Sequence, residues 1–414
     1  MVYYVNVHET TGIILLLYIT TFLTYNLVMA NILLHLKNID YPKCTQDALK
    51  YLMSCFSSHE GAAIPGLGQG SGNYAAEVCQ EYILFRSRTG VQKTLNAVHE
   101  LQLLEMLCTC FKEAPTKTKY QIFNLIFGGR GDNHTHSLFI KLVSMALSVS
   151  CSPVLDCAAI WMQERGADST PVLALTKRLV DDYCLLFPDP SQVLVKLPST
   201  SPLFVCNFIT SVTTAFTFFD GNSVPPCVLL EHVTDWINQD CTLCCESVRQ
   251  ISIHNTYSSP IPGLTGWCIR GPVVAHKLTK SNHPGFSQSK LSKGLSVLSR
   301  LHLGLLQSLE FCENNHMSQY LLSITDLFNI VNSLVFLYKM SGLSEDEPCV
   351  HVALERVAQV IQVAVVNGCL RVDPVKFQGF RSLIQTSLPP NRLLQMVVSH
   401  IAGDRRGESS MDVS

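Results

Sequence analysis

From Leu95 to Ile401 the apolar residues recur every three or four positions, the spacing of one helix face rather than the alternation of a half-buried strand. In KTLNAVHELQLLEMLCTCF, residues Leu95, Val98, Leu101, Leu104, Cys108 and Phe111 are expected to share a buried face. The same period runs through LFIKLVSMALSV (138–149), VLDCAAIWMQ (154–163), PVLALTKRLVDDYCLLF (171–187), GLSVLSRLHLGLLQSLEF (294–311), YLLSITDLFNIVNSLVFLYKM (320–340), HVALERVAQVIQVAVV (351–366) and NRLLQMVVSHI (391–401). PLFVCNFITSVTTAFTFF (202–219) holds many strand-favouring Thr, Val and Phe residues, yet reads as helix in this setting. Ser152-Pro153, Thr170-Pro171, Ser201-Pro202 and Asp373-Pro374 each place a capping side chain before a proline that has no N–H to lose, which predicts helix starts. The starts fall at irregular intervals, and no tetratricopeptide or ankyrin signature appears. The expected fold is all-α, an irregular HEAT-like array of antiparallel helices.

Punctuation divides this array. IPGLGQGSGN (64–73), HNTYSSPIPG (254–263) and KLTKSNHPGFSQSK (277–290) are Gly-, Pro-, Ser- and Asn-rich loops, and the tail from 403 to 414 reads as disordered. The expected order is N-terminal helices over 29–60, a Gly-rich loop over 61–74, the array over 75–276 and 291–402, and the loop 277–290 between its halves. Upstream, Gly12 to Leu36 contains no Lys, Arg, Asp or Glu, and about 20 such residues span a bilayer. The preceding residues lack the basic start of a secretory signal. The stretch divides at Met29: residues 1–28 read as an apolar leader, a start-site artefact or extension, and Leu33, Leu36, Leu49, Leu52 and Phe56 after it suit amphipathic helices. A membrane anchor remains the alternative reading of this stretch.

Composition sharpens the picture. Charged residues make up 15% of the 414 positions, against roughly 25% in soluble domains, and apolar residues 47%, so much of the outer surface is expected to be covered by partners. A formal net charge of −2 argues against a broad nucleic-acid footprint. The 17 cysteines are spread through apolar segments, as at Cys108, Cys110, Cys157, Cys184, Cys312 and Cys369, and read as reduced, buried small hydrophobes of a cytosolic or nuclear protein. Arg130-Gly131-Asp132 and the glycosylation-like Asn133-His134-Thr135 are chance matches in a turn.

Candidate chemistry is sparse. Gly66, Gly68, Gly70 and Gly72 precede a helix, but neither a preceding strand nor a Gly-Lys-Ser/Thr accompanies them, so a surface loop is preferred to a phosphate cradle. Cys241-Thr242-Leu243-Cys244-Cys245 is the sharpest metal candidate, because C-x-x-C lets two thiolates close on one zinc; His254, Cys268 and His276 would complete it only at loose spacings. Cysteines three apart on a helix face also suit core packing, the preferred reading. His134-x-His136 is a weaker pair. Asp181 and Asp182, adjacent on a helix, point apart and suit a surface ion pair better than paired-carboxylate catalysis. Ser287-Gln288-Ser289-Lys290 lacks the other elements of a serine-lysine site, and Trp161 and Trp267 read as core or interface anchors. Arg270, Lys293 and the lysines of 277–290 could meet an acidic partner or act as a weak nuclear-import signal, with a solvated loop as the default. No residue set reads as catalytic or cofactor-binding, and none is singled out for interaction.

HELQLLEMLCTCF (99–111), KLVSMALSVSCSPVLDCAAIWMQ (141–163), LVDDYCLLF (179–187), FITSVTTAF (208–216), LTGWCIRGPVVA (264–275), RLHLGLLQ (300–307) and ERVAQVIQVAVVNG (355–368) resemble, in order, the Integrator complex subunit fifteen family. The resemblance implies a nuclear, non-catalytic, HEAT-like connector without a cofactor. It implies a place in the assembly that associates with RNA polymerase II, cleaves its transcripts and processes small nuclear RNA 3′ ends. It further implies that the chain joins the module of subunits ten, thirteen and fourteen to the core, with no direct nucleic-acid contact. The alternatives are a membrane-anchored helical interaction protein and a zinc-dependent protein using Cys241, Cys244 and Cys245.

Overall fold

Amphipathic stripes become helices wherever the computed structural model describes the chain, over residues 31–57, 68–87, 91–129, 132–186, 191–219, 221–246, 259–280, 288–311 and 321–408. The leader 1–28, Met29, Gly66, Arg130, Gly131, His254, Ser287 and Cys312 lie outside these residues. The only strands among them are a pair of two-residue segments. The expected all-α class is what the protein adopts.

The chain divides into two compact units, residues 1–145 and 146–414. In the first, α1 (Lys43–Ser57) packs on α2 (Gly68–Tyr82), α3 (Ala97–Glu113) and α4 (Thr116–Phe127). Leu36, Leu49 and Leu52 are buried, as their spacing predicts. Phe111, Phe123, Phe127 and Phe139 of α5 (Asn133–Ser148) form an aromatic cluster with ring centroids 5.2 to 5.9 Å apart, edge-on or tilted as ring quadrupoles prefer. On α3 the buried stripe is Leu103, Leu104, Leu107, Cys108 and Phe111. Val98 and Leu101 are 64% and 50% exposed, contrary to the expected face, because the buried arc turns to the 103/107 edge of the helix.

The second unit holds α6 (Ser152–Arg165), α7 (Thr170–Val180), a π-helical turn (Asp181–Leu186), α8 (Ser191–Thr200), α9 (Pro202–Ala215), α10 (Cys227–Gln239), α11 (Ile261–Lys280) and α12 (Gln288–Glu310). It continues through β1 (Leu322–Ser323), α13 (Ile324–Met340), α14 (Pro348–Val366), β2 (Leu370–Arg371), α15 (Pro374–Ser387) and α16 (Arg392–Glu408). Packing runs between alternate helices. One file is α9 on α11, α11 on α13 and α13 on α15; the other is α10 on α12, α12 on α14 and α14 on α16. Helix α11 also packs on α12 and α14, joining the files. A parallel ladder, Leu322 to Leu370 and Ser323 to Arg371, sets the starts of α13 and α15 side by side.

Helix starts are made differently from expectation. Only Asp373 acts as the anticipated cap, accepting from the N–H groups of Val375 and Lys376 at 2.9 and 3.0 Å. Ser152 and Thr170 are already helical, so their side chains lie past the capping position. Ser152 and Ser201 instead donate to the two carboxylate oxygens of Asp156, at 3.1 and 2.5 Å. Four boundaries shift as well. Helix α2 starts at Gly68, inside the expected loop, and buries Ala75, Val78, Cys79 and Tyr82. Helices α11 and α12 take up 277–280 and 288–290, and α16 runs beyond 403 to Glu408.

Helix α14 is the one described helix long and apolar enough to cross a membrane, and half of its most apolar window is buried against other helices. A bent pair, Val193–Thr200 and Pro202–Ala215, passes the same composition test but turns through 117°.

Candidate functional site

The segment LTGWCIRGPVVA forms the middle of α11, and the side chains that make it distinctive are used inside the fold. At Gly263 a Cβ would collide with Thr213, and at Gly271 with Leu298, so both glycines let α9 and α12 approach closely. Trp267 is fully buried and its Nε1–H donates to the carbonyl of Phe216. Arg270 donates from Nε to the carbonyl of Thr217 at 2.8 Å and from Nη1 to Ser333 Oγ at 3.0 Å. The carbonyls that leave the end of α9 are therefore capped by α11. Burial pushes the Arg270 guanidinium down to about 10, which leaves it cationic at neutral pH.

Pro272 removes the N–H that would meet the carbonyl of Cys268 one turn back. Arg356 of α14 fills that vacancy. Its Nη1 donates to Cys268 O at 2.7 Å, its Nη2 donates to Ser299 Oγ at 2.8 Å, and the side chain is buried. Neither hydrogen bond involves a carboxylate. One side chain thus ties α11, α12 and α14 by donating to neutral oxygens.

The structure separates the metal candidates. Cys241 lies in a turn and is half-buried, whereas Cys244 and Cys245 sit in the short 3₁₀ turn Leu243–Cys245 and are buried; the three do not share a helix face because no α-helix forms there. Burial drives the Cys244 thiol well above its ordinary value, which disfavours the thiolate that a metal needs. Cys268 packs with its Sγ 3.8 Å from the carbonyl of Leu298, and His276 stands 3.4 Å from Glu347. Among the described residues no group of three or more His, Cys, Asp or Glu side chains is placed to hold a metal.

The remaining candidates fall into local roles. Asp182 pairs with Arg178 at 3.1 Å one helical turn away, while Asp181 is exposed. His134 Nε2 lies 3.3 Å from Gln92 Nε2, and burial lowers the affinity of His136 for a proton. Asp132 accepts from the Thr135 N–H at 2.9 Å, pairs with Arg86 and titrates below the usual carboxylate range, chiefly through that backbone hydrogen bond. Lys280 pairs with Glu347 at 2.7 Å and Lys293 with Glu231 at 2.5 Å. Arg270, expected at the edge of the basic loop, is inside the fold. Trp161 and Trp267 are buried.

What periodicity did not reveal is surface relief. A groove of about 840 Å³ runs between α14 and α16, with Val366 and Met396 among its walls. A second, of about 420 Å³, runs between α1 and α3 and is lined by Met53, Met106, Lys50, Glu105 and Glu113. Phe219 and Phe336 stack at 5.1 Å between centroids, 37% and 48% exposed. Such features suit protein recognition rather than bond-making chemistry.

The family model described as Integrator complex subunit 15 matches residues 30–379. The human protein named Integrator complex subunit 15 is 33% identical over 402 residues, covering 87% of this chain and 84% of its own length. The mouse protein of that name is also 33% identical with the same coverage, and the Drosophila melanogaster protein is 26% identical, covering 87% of this chain and 93% of its own.

Proposed function

The chain belongs to the Integrator complex subunit 15 family, and from that membership we propose that it acts as a non-catalytic connector within the nuclear Integrator assembly. In this reading it joins the module of subunits ten, thirteen and fourteen to the core. It thereby supports cleavage of RNA polymerase II transcripts and 3′-end processing of small nuclear RNA. The observation that carries the reading is the family match over residues 30–379, which takes in both compact units.

The residues agree with this role. Several polar side chains of the interior are engaged within the fold, as at Arg270, Arg356 and Asp156. Alternate-helix packing in the second unit supports reading it as a helical array of the kind whose faces serve protein binding. Large apolar side chains stay exposed on α13, α14, α15 and α16, at Phe336, Met340, Val366, Val375 and Met396, where a partner would cover them.

Purification of the tagged chain from nuclei should recover Integrator subunits, and cross-linking should place those of the ten/thirteen/fourteen module against it. Recovery of none, under conditions that keep the rest of the complex together, would overturn the proposal.

A further inference from the structure

We propose that His302 is a proton-sensitive latch in the joint of α11, α12 and α14, which holds with the imidazole neutral and loosens when the ring becomes a cation. The inference concerns the second unit alone and does not depend on the connector reading. His302 lies on α12 and is 4% exposed. Its Nε2 is 2.8 Å from Oε1 of Gln359 on α14, while Nδ1 has no hydrogen-bond partner among the described residues. The proton of the neutral ring therefore sits on Nε2 and is donated to Gln359, because the other tautomer would leave a buried N–H at Nδ1 without an acceptor. The same two helices meet one turn earlier, where Arg356 Nη2 donates to Ser299 Oγ. Ser299 and His302 are three residues apart, as are Arg356 and Gln359, so the two rungs share one offset. Arg356 also donates to Cys268 O on α11, which puts the histidine beside the side chain that joins all three helices.

A second cation in this joint meets no compensating charge. Helix α12 packs on α10, α11 and α14. Their carboxylates are Glu231 and Asp235 of α10 and Glu355 of α14; the first two pair with Lys293 and Arg300 at 2.5 and 2.6 Å, and Glu355 is exposed. Helix α11 brings no carboxylate, and its buried Cys268 thiol, pushed up to about 12 by burial, is uncharged. The charged side chain that acts on the ring is Arg356. Burial lowers the affinity of His302 for a proton, the hydrogen bond to Gln359 offsets part of this, and the Arg356 guanidinium adds to it. Protonation would also create an N–H at Nδ1 with nothing to receive it. The unfolded chain has none of these constraints and takes up the proton near the ordinary histidine value of about 6.5. The stability contributed by the neutral ring is therefore complete above that value and is lost as pH falls from it through the folded value.

The test is urea unfolding of the full chain between pH 8 and pH 5, followed by tryptophan fluorescence. All three tryptophans, Trp161, Trp236 and Trp267, lie in the second unit, so the signal reports the unit that holds His302. Relative to H302Q, whose amide can still meet Gln359 but does not titrate, the wild-type unfolding constant should rise by up to about tenfold per pH unit below about pH 6.5, the limit for one proton taken up on unfolding. In wild type the His302 ring, followed by NMR and identified by its loss in H302Q, should titrate below the ordinary histidine value. Q359E supplies the missing carboxylate; it should raise that titration above the ordinary value and flatten the acid loss of stability. A wild-type ring that titrates at or above about 6.5, an acid dependence shared by wild type and H302Q, or a Q359E chain as acid-labile as wild type each overturns the proposal. Should H302Q fail to fold, the comparison of Q359E with wild type decides, because it leaves the histidine in place. None of these outcomes bears on whether the chain purifies with Integrator subunits, so failure here is separable from failure of the connector reading.

Discussion

Replacing Arg356 by Met isolates the hydrogen bond that compensates for Pro272. The substitution keeps an unbranched apolar stem in the interior and removes the donor to Cys268 O, which stands at 2.7 Å. Ser299 Oγ loses one donor but still bonds the carbonyl of Leu295 at 3.0 Å. The Cys268 carbonyl, one turn before a proline, loses the only side-chain donor seen at it, and a buried acceptor so orphaned costs about 1–3 kcal/mol. Relief from burying the guanidinium offsets part of that, so R356M is expected to destabilise by about 2 kcal/mol, a fall in Tm of roughly 4–8 °C for a domain of this size. The decisive measurement is a double-mutant cycle with P272A, which restores the N–H that can reach Cys268 O within α11. In the P272A background the same substitution should cost at least about 1 kcal/mol less, whatever P272A does by itself. Thermal unfolding of the four proteins, supported by hydrogen exchange of the α11 amides, gives the coupling. A coupling within about 0.5 kcal/mol of zero would refute the claim that Arg356 serves the carbonyl left by the proline.

Other consequences can be checked alongside it. G263A should destabilise by about 1–3 kcal/mol, since its methyl group meets Thr213, whereas G294A, on an open flank of α12, should be neutral or stabilise by up to about 1 kcal/mol; thermal unfolding distinguishes them. Burial pushes the thiols of Cys79, Cys110, Cys184 and Cys268 up to about 12, so iodoacetamide at pH 8 should label half-buried Cys55, Cys227, Cys241 and Cys349 first, as read by mass spectrometry. Labelling of Cys268 in the native chain at the rate of Cys241 would contradict the packing of α11. D132A should cost about 1 kcal/mol at pH 7, because Asp132 caps α5. The folded carboxyl titrates below its ordinary value, so its contribution is complete above the usual carboxylate range and is lost as pH falls through the folded value; wild type and D132A should converge in acid. Elemental analysis of the purified chain should find zinc well below one atom per molecule, and a stoichiometric, chelator-resistant atom would reopen the role of Cys241, Cys244 and Cys245.

Helix class and most of the core are legible from spacing alone, because burial of one stripe is what selects a helix and the stripe is local in the chain. Leu104, Cys108 and Phe111 follow from their intervals. Val98 and Leu101 do not, since which third of a broad apolar arc turns inward depends on the neighbours α1 and α4, which no window on α3 contains. The cap at Ser201 fails for the same reason, since its hydroxyl donates to Asp156, which comes within reach only when α6 and α9 are brought together. Ser152 fails locally: it lies inside α6 and its hydroxyl donates to Asp156 one turn on. The cysteine motif fails differently: C-x-x-C presumes a helix or knuckle, and the chain instead makes a 3₁₀ turn that buries two thiols and leaves the first at the surface.

The low charge content is the sequence property with the most direct bearing on function, and the structure gives it an address. Internal demand accounts for part of it: thirteen residues of α11 are buried, and the polar groups there face carbonyls and hydroxyls rather than water. Internal demand accounts for Phe336 in part, through its stack on Phe219, but not for Met340 on α13, Val366 on α14, Val375 on α15 and Met396 on α16, each at least 59% exposed. A helix whose outward face is free of partners tends toward charged residues there, since water solvates them at no cost to packing. Exposed apolar residues on these four helices agree with the proposed connector role, in which partners would cover them. If that argument holds, changing Met340 and Val375 together to Asp should leave the unfolding of the isolated chain within about 1 kcal/mol of wild type while reducing the recovery of Integrator subunits with it. Loss of stability with undiminished recovery would mean that these side chains serve the fold after all.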